Sequence, residues 1–405
     1  RDRYMEKINL NNENEKLNSI FTAKREIKHA FVTGATGLLG NNLVRALVNR
    51  GIKVTGLVRN IKNAKKQFPD LEITFVEGNL NNPDSYKEAL KGCDGLFHTA
   101  AYFKEAYKGG ENHWSKLYNT NVKGTIDLMT AAKKAGIKNM VHTSSIAVLK
   151  AEKNQLIDET MLRNKDDKEI NDYYRSKILS DEAVKKFLNE NPDIFCCFVL
   201  PGFMFGPGDM GPTSSGQLVM DYVNKKIPGI IPSSYSVVDA RDVAEHEIMA
   251  MEKGKRGELY LAAGKFMTMK ELLEELSKVT GIPAPKRVIP LYFLKILAVF
   301  NELISKLTKK ETLINKATIR VIKNDYMRNN FSHKKSKKEL KKFFNTSGIL
   351  YREMELKDKL PTMTEDEMLK LLATDGKLVK RPMIVTKDVV LNGFKEEEWK
   401  ELLKK

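Results

Sequence analysis

The residues HAFVTGATGLLGNNLVRALVNRGIKVTGLVR, numbered 29–59, determine the fold that we predict for this chain. Short apolar runs rich in β-prone residues flank a stretch whose apolar residues recur at the spacing of an amphipathic helix. In chain order we predict a strand, a glycine-rich turn, a helix and a second strand, over residues 29–33, 34–37, 38–49 and 52–58. This order is that of a βαβ unit.

Three glycines lie between the first predicted strand and the body of the helix: Gly34, Gly37 and Gly40. Gly34 permits a tight turn, Gly37 lets the backbone approach phosphates, and Gly40 lets the helix lie close to the sheet. The start of the helix adds free N–H groups and a partial positive charge. The turn therefore predicts a binding site for the pyrophosphate of a dinucleotide.

The second predicted strand ends in Arg59, at a position where NAD-specific sites carry Asp or Glu for the ribose hydroxyls. A guanidinium can bind a 2′-phosphate that a carboxylate would repel. We therefore expect NADP(H) rather than NAD(H) as the cofactor. The alternative is that Arg59 is only a solvated residue at a strand end.

The chain has 405 residues, of which 41% are hydrophobic, so it is long enough for one large domain and a smaller one. Its formal net charge is +17, from 69 basic and 52 acidic residues. The basic residues form no stripe interleaved with aromatic ones, so nucleic-acid binding is not predicted. A positive surface would still attract anionic cofactors and membranes.

Three cysteines, Cys93, Cys196 and Cys197, are too few and too scattered for a disulfide framework. They suit a reducing compartment, and no secretory signal is recognisable at the start, so we expect a cytoplasmic protein, either a monomer or a homodimer. No metal site is predicted. Residues 1–27 are polar and form a predicted N-terminal extension.

Beyond residue 59, strand-like and helix-like stretches keep alternating, which predicts an α/β fold with a Rossmann-type, doubly wound parallel sheet. The predicted strands cover residues 72–76, 95–99, 139–143 and 194–200, and the predicted helices cover residues 83–91, 111–135 and 172–189. Such sheets bind ligands at the carboxyl ends of their strands. The residues expected to converge there are Gly34, Arg59, Asn79, Ala100, Ser145 and Pro201.

The candidate catalytic residues are Ser145, which follows a predicted strand, and two residues of the segment YYRSK at 173–177. Tyr173 and Lys177 share one face of the predicted helix, whereas Tyr174 is one residue out of step. We expect the ammonium to lower the pKa of the Tyr173 phenol, which makes it a proton donor or acceptor near neutral pH. Ser145 is expected to polarise a substrate carbonyl. Taken alone, the Tyr–Lys pair could also be an ordinary exposed helix pair.

With these motifs, residues 28 to about 340 resemble an extended short-chain dehydrogenase/reductase. The similarity rests on TGATGLLG at 33–40, HTAA at 98–101, NVKGT at 121–125, Ser144-Ser145 and the segment 173–177. The resemblance implies that Tyr173 is the acid/base, that Lys177 binds the nicotinamide ribose, and that Ser145 orients the carbonyl. The cofactor site that it implies comprises Gly34, Thr36, Gly37, Leu38, Leu39, Gly40, Arg59, Asn79, Leu80, Thr99, Ala100, Ala101, Tyr173, Lys177 and Pro201.

The segment LPGFMFGPGD at 200–209, together with Arg59, is similar to dihydroflavonol-4-reductase-like members of that group. These enzymes reduce a ketone or aldehyde with NADPH, and we expect the same reaction here on a small carbonyl substrate. Two alternatives stay open. The chain could be a nucleotide-sugar epimerase or dehydratase with tightly held NAD(P), or a non-catalytic NADP-binding regulatory protein.

The reductase-like domain is expected over residues 28–336, with a smaller substrate-binding part. The predicted core covers 28–200 and 237–262, and the substrate part covers 201–236 and 263–336. The candidate pocket residues, each of which core packing would explain as well, are Tyr102, Phe103, Met204, Phe205 and Tyr235.

The run LYFLKILAVFNELISKL at 291–307 is apolar but too short and too interrupted by charge to span a bilayer. It predicts either a helix packed within the substrate part or a surface helix that contacts a membrane or an apolar substrate. Peripheral membrane contact is therefore one of the partners to test.

From residue 337 the sequence resembles the C-terminal half of the arsenate reductase-like, thioredoxin-fold family. The similarity rests on FFNTSG at 343–348, on Arg381-Pro382 and on GFKEEEW at 393–399. No cysteine lies beyond Cys197, so the thiolate of a thiol relay is missing, and we predict no arsenate or disulfide reductase activity. We expect an incomplete thioredoxin-like segment over 337–405, fused to the reductase-like domain.

Overall fold

The computed structural model describes residues 24–103, 113–150, 152–296, 298–299, 319, 322–323, 325–328, 330–332, 349–363, 365–374, 383–385 and 390–392. The chain divides into two units, residues 1–331 and 332–405, and each is taken by itself. Most of the predicted extension 1–27 lies outside the described residues. Its end is anchored, because Arg25 is buried and donates to the backbone oxygens of Met251 and Gly254 at 2.7 and 2.5 Å.

The first unit is built on a seven-stranded sheet in which every pair of neighbouring strands is parallel. The strands are β1 (His29–Thr33), β2 (Lys53–Val58), β3 (Thr74–Glu77), β4 (Gly95–His98), β5 (Asn139–Thr143), β7 (Phe195–Pro201) and β10 (Leu259–Ala262). Their order in the sheet is β10-β7-β5-β4-β1-β2-β3, so the order reverses between β1 and β4. This is the doubly wound Rossmann arrangement that the sequence predicts.

Two hydrophobic cores cover the two faces of this sheet, and successive residues of β1 alternate between them. Phe31 belongs to the core under two central helices, and Ala30 and Val32 belong to the opposite core. The helices of the unit are α1 (Leu38–Asn49), α2 (Ile61–Gln67), α3 (Trp114–Leu117), α4 (Gly124–Lys134), α5 (Asp172–Glu190), α6 (Ser214–Val223), α7 (Ala240–Lys253) and α8 (Met269–Thr280). Helices α4 and α5 pack on one face of the sheet, and α1 and α7 pack on the other.

Two local predictions differ from the structure. The helix predicted over 83–91 is a pair of short 3-10 turns, Pro83–Ser85 and Lys87–Leu90, because Tyr86 between them leaves helical geometry at φ −139°. The long helix predicted over 111–135 begins at Trp114 and contains one π-helical stretch, Tyr118–Lys123. Such π-helical insertions occur frequently at functional sites.

A smaller subdomain contributes further strands: β6 (Leu156–Ile157), β8 (Phe203–Phe205), β9 (Ser234–Asp239), β11 (Lys265–Thr268) and β12 (Asn330–Phe331). Strands β11, β9 and β8 form a three-stranded sheet in that order, and β12 pairs in parallel with β6. Helices α6 and α8 share a core with this sheet through Tyr222 and Leu273. This subdomain draws on distant segments of the chain, including β6, which lies outside the predicted substrate part 201–236 and 263–336.

The second unit contains three helices and a two-stranded antiparallel ribbon among its described residues. They are α9 (Ile349–Glu353), α10 (Leu356–Lys359), α11 (Glu365–Thr374), β13 (Met383–Val385) and β14 (Val390–Asn392). Tyr351, Leu356, Leu360 and Met368 form its small core. In the parts of the chain that the structure describes, no helix is both long and apolar enough to cross a membrane.

Candidate functional site

The glycine-rich turn lies against the end of β4. Gly34 has φ +66°, and a Cβ at this position would lie 2.9 Å from the backbone nitrogen of Ala100. Thr33 and Thr99 hold the two strand ends together, because the Thr99 hydroxyl donates to the Thr33 backbone oxygen at 2.7 Å. The structure thus brings Gly34, Thr99 and Ala100 together at the point where the strand order reverses.

The start of α1 fits an anionic group. Its N-cap residue is Gly37, which has no side chain to bond the free N–H groups of the first helical turn. Gly40 allows the helix to approach the sheet, since a Cβ there would lie 2.0 Å from the backbone oxygen of Gly34. Gly37 is exposed, and Leu38 and Leu39 are buried behind it. The first turn of α1, which has no side-chain cap, and the close approach of this helix to the sheet match the requirements of a dinucleotide pyrophosphate.

Arg59 and Asn79 follow two neighbouring strands and are both exposed. Val58 pairs with Glu77, and the N–H of Gly78 donates to the backbone oxygen of Val58 at 2.9 Å, so the two strand ends are adjacent. The Asn79 side-chain oxygen accepts from the N–H of Asn81 at 3.0 Å, and Leu80 is buried. These residues could hold the adenosine half of a dinucleotide. A carboxylate, Glu77, accepts from the N–H of Ile61 at 3.0 Å.

Helix α5 presents the predicted catalytic pair. Asn171 caps it by accepting from the N–H of Tyr174 at 2.8 Å, and Tyr173 and Lys177 follow on one face. Ser145 lies close enough to the Tyr173 hydroxyl to lower the pKa of this phenol. Lys177 is buried and donates from Nζ to the backbone oxygen of Thr143 at 2.8 Å. The structure therefore brings Ser145, Tyr173 and Lys177 together beside the carboxyl end of β5.

The expectation of a lowered pKa for Tyr173 is wrong. Burial raises the pKa of this phenol to about 12, and Ser145 opposes the rise. Burial also lowers the pKa of Lys177 to about 8. The reason is that both groups are withdrawn from water, and the ammonium is directed to the Thr143 carbonyl.

Tyr174 is engaged elsewhere. Its hydroxyl donates to Asp325, a carboxylate whose pKa burial raises, and Arg163 lies 3.5 Å from the same carboxylate. Asp325 comes from the C-terminal end of the first unit, whereas Arg163 precedes α5. This contact ties Asp325 to helix α5 one residue after Tyr173.

A set of buried titratable side chains under Lys177 is absent from the sequence prediction. The hydroxyl of Thr143 donates to Glu247 at 2.7 Å, and the hydroxyl of Ser144 donates to Asp181 at 2.6 Å. Burial raises the pKa of Glu247 to about 8. Asp181 lies four residues after Lys177 on the same helix, and this spacing is the one signal that could have indicated it.

Two buried histidines extend this set toward the glycine-rich turn. His142 lies 3.3 Å from Asp181, and its ring is 5.5 Å from that of His98. His98 lies 2.7 Å from the hydroxyl of Thr33 and 2.9 Å from that of Thr125. Burial lowers the pKa of both histidines, which keeps the two rings neutral at pH 7.

Asn121 connects the loop after β4 to helix α5. Its side chain accepts from the N–H of Tyr102 at 2.8 Å and donates to the hydroxyl of Ser176 at 3.0 Å. Ser176 in turn donates to the backbone oxygen of Tyr173 at 2.7 Å. Asn121 is buried within the π-helical stretch, so it fixes the position of the Tyr173 backbone.

Of the predicted pocket residues, Phe103 lies beside the catalytic pair, with its ring 4.7 Å from that of Tyr173 in an edge-on arrangement. Tyr235 stacks on Phe203 at 4.8 Å, and Phe205 lies 5.3 Å from Phe203. Phe203, Phe205 and Tyr235 thus form an aromatic cluster within the subdomain. The hydroxyl of Tyr102 forms a hydrogen bond with His113 at 3.1 Å, and Met204 packs against the core under α1 and α7. Of the predicted cofactor residues, Pro201 is buried at the end of β7 and Ala101 is exposed after β4.

Comparisons with known proteins agree with this fold. A family model described as the NAD dependent epimerase/dehydratase family matches residues 30–263. A putative dihydroflavonol 4-reductase from Synechocystis sp. is 33% identical over 266 residues, which cover 65% of this chain and 75% of that protein. Sterol demethylase protein B from Methylococcus capsulatus is 34% identical over 259 residues, covering 64% and 76%. The crystal structure of gox2253 has a TM-score of 0.64 at 28% identity, covering 77% and 92%.

The C-terminal residues match a different family. The model described as the ArsC family matches residues 300–402. The uncharacterized protein YusI from Bacillus subtilis is 55% identical over 69 residues, which cover 17% of this chain and 58% of that protein. This agrees with the predicted similarity to arsenate reductase-like proteins, and the match begins at residue 300, before the predicted start at 337.

Proposed function

The chain belongs to the NAD-dependent epimerase/dehydratase family, as an enzyme acting on carbonyl or CH–OH groups, and from this premise we propose that it reduces a ketone or aldehyde to an alcohol with NADPH. The observation that carries the proposal is the meeting of Ser145, Tyr173 and Lys177 beside the carboxyl end of β5. Helix α1, whose first turn has no side-chain cap, begins at the same end of the sheet.

When bound, NADPH supplies a hydride for the carbonyl carbon. Ser145 donates a hydrogen bond to the carbonyl oxygen and polarises it. Tyr173 donates its phenolic proton to the same oxygen as negative charge develops there. A phenol with pKa about 12 is fully protonated at neutral pH, and an alkoxide is a stronger base than a phenolate, so proton transfer from Tyr173 is downhill. The raised pKa therefore keeps Tyr173 in the protonated form that reduction of a carbonyl requires.

Lys177 binds the nicotinamide ribose and places a positive charge under the phenol. After Tyr173 has given up its proton, this charge stabilises the phenolate. Asp181 lies close enough to Lys177 to raise its pKa, which opposes the effect of burial and favours the protonated amine. Asp181 thus supports the role of Lys177.

The preference for NADPH rests on Arg59. It is the exposed guanidinium at the end of β2, next to the end of β3, where the adenosine ribose lies in dinucleotide-binding sheets. Its planar guanidinium group can bind a 2′-phosphate through two hydrogen bonds. Asn79 is uncharged, so it adds no repulsion toward that phosphate.

The substrate class rests on the aromatic rings of the subdomain and on the relatives. Phe103, Phe203 and Tyr235 favour a substrate with apolar or aromatic surface beside the carbonyl. Relatives of the chain carry names that refer to dihydroflavonol and to a sterol. A carbonyl on an apolar ring system is the substrate class that both observations support.

An NADPH-oxidation screen over aldehydes, ring ketones and nucleotide sugars tests the proposal. We expect stoichiometric loss of NADPH with a carbonyl compound and formation of its alcohol. Conversion of a nucleotide sugar without net loss of NADPH would instead identify an epimerase or dehydratase. Tight NADPH binding without turnover of any compound would favour a regulatory protein.

A further inference from the structure

The substrate-binding subdomain exposes an unusual share of large apolar side chains. Eleven such side chains are exposed among the described residues, and nine of them lie between residues 210 and 299. Five are close together in sequence, and we call them the 288–299 surface: Val288, Tyr292, Phe293, Ile296 and Val299, with exposed fractions of 60, 65, 56, 53 and 43%. Single exposed apolar residues are ordinary, but such a cluster marks an interaction site.

The backbone geometry places most of this surface on one side of a helix. Residues 291–296 and 298–299 are helical, and positions 292, 293, 296 and 299 fall on one helical face. The opposite face is anchored, because Leu294 and Ala298 are 2% and 0% exposed and pack with Ile319. The fold therefore buries one side of this helix and leaves a second apolar side in water.

All the charged residues of the segment from 281 to 301 are basic. Lys286, Arg287 and Lys295 are exposed, and the sequence from 281 to 301 contains no acidic residue. Two copies joined through this surface would bring like charges together, which is unfavourable. A bilayer with anionic headgroups complements these charges and accepts apolar side chains below the headgroups.

We propose that the 288–299 surface docks the protein on an anionic lipid bilayer, with Tyr292, Phe293 and Ile296 entering the interface. Tyr292 combines an apolar ring with a polar hydroxyl, as suits the level of the headgroups. Lys286, Arg287 and Lys295 contact lipid phosphates or carboxylates. The docking does not depend on the proposed reaction, but it brings the substrate-binding subdomain to the place where apolar compounds accumulate.

Flotation of the full chain with vesicles tests the docking. One vesicle set is phosphatidylcholine alone and the other contains a third of phosphatidylglycerol. We expect the protein to float with the anionic vesicles at low salt and to be released when salt screens the charges. The triple variant Y292S/F293S/I296S and the charge variant K286E/R287E/K295E should each bind at least ten-fold more weakly.

The control variant is Y118S/L162S, which removes two exposed apolar side chains outside this subdomain and should float like the wild type. Thermal unfolding and NADPH titration are the measurements that check whether the variants keep their fold. Absence of vesicle binding by the wild type overturns the proposal, as does binding that both 288–299 variants retain. A concentration-dependent dimer that Y292S/F293S/I296S abolishes, without vesicle binding, would assign the surface to a second copy instead.

Discussion

The Nζ of Lys177 donates a hydrogen bond to the backbone oxygen of Thr143 at 2.8 Å. Thr143 ends β5, so the strand rather than the tyrosine fixes where the ammonium points. The side chain of the same threonine donates to Glu247. One residue therefore holds both the buried amine of Lys177 and the buried side chain of Glu247.

Replacing Tyr173 by Phe should lower kcat by about 10²- to 10⁴-fold, because it removes the proton donor. The dissociation constant of NADPH, measured by fluorescence titration, should change little. Tyr174→Phe is the matched control, since this neighbouring hydroxyl bonds Asp325 instead. Y174F should reduce thermal stability more than turnover, and normal turnover by Y173F would refute the role of the phenol.

Two glycines of the turn should respond differently to alanine. At Gly40 a Cβ would lie 2.0 Å from a backbone oxygen, so G40A should destabilise the fold by about 3 kcal/mol in denaturant unfolding. At Gly37 the nearest atom is 3.3 Å away and the residue is exposed, so G37A should fold normally yet bind the dinucleotide weakly. Equal stability of G40A and wild type would contradict the close helix–sheet approach.

Replacing Arg59 by Glu should shift the preference from NADPH toward NADH. Loss of a charge-assisted contact with the 2′-phosphate should weaken NADPH binding by roughly 10- to 100-fold. Calorimetric titration with each coenzyme measures the ratio. Lys53→Glu is the control, because Lys53 is exposed at the opposite end of the same strand. An unchanged ratio in R59E would contradict the proposed contact between Arg59 and the 2′-phosphate.

Glu247 should make the folded protein less stable as pH rises. Its pKa is near 4.5 when unfolded and about 8 when folded, so the folded state holds a proton that the unfolded state releases between these values. Stability from this group is fully present below pH 4.5 and is lost as pH rises to 8. Glu247→Gln should remove much of this loss, on the order of 4 kcal/mol at pH 8, in unfolding curves recorded at pH 5 and pH 8. Glu245→Gln, on the exposed side of α7, should leave the pH dependence unchanged.

Removing residues 345–405 should leave carbonyl reduction intact, because the first unit ends at Phe331 and contains all the proposed catalytic residues. Removing residues 325–405 should abolish folding of the subdomain, since it also deletes Asp325 and β12. Activity and melting temperature of the two truncated chains give the comparison. A large loss of activity in the shorter deletion would make the C-terminal unit part of the working enzyme.

Much of the fold follows from local patterns that the sequence displays. Strand β1 and helix α1 have the predicted bounds, because glycine spacing and apolar periodicity both act over a few residues. The proximity of Ser145 to the Tyr–Lys pair was also predictable, since parallel strands bring their ends to one edge.

The remaining features depend on tertiary packing. Thr143 and Glu247 are 104 residues apart, and no periodicity of apolar residues in the sequence predicts that their side chains are in contact. Burial, rather than proximity to an amine, determines the pKa of Tyr173, so a rule based on spacing gave the wrong direction. The short 3-10 turns at Pro83–Ser85 and Lys87–Leu90 replace the predicted helix because the backbone of Tyr86 leaves helical geometry, which helix propensity does not predict.

Strand β12 pairs with β6 across more than 170 intervening residues, at Asn330–Leu156 and Phe331–Ile157. During synthesis the seven-stranded sheet can be completed once β10 has left the ribosome, and β12 emerges about 70 residues later. Domains tend to fold from the N-terminus as the chain is made. The seven-stranded sheet is therefore expected to form cotranslationally while β6 waits for its partner strand, which leaves Ile157, fully buried in the folded chain, open to chaperones in the interval.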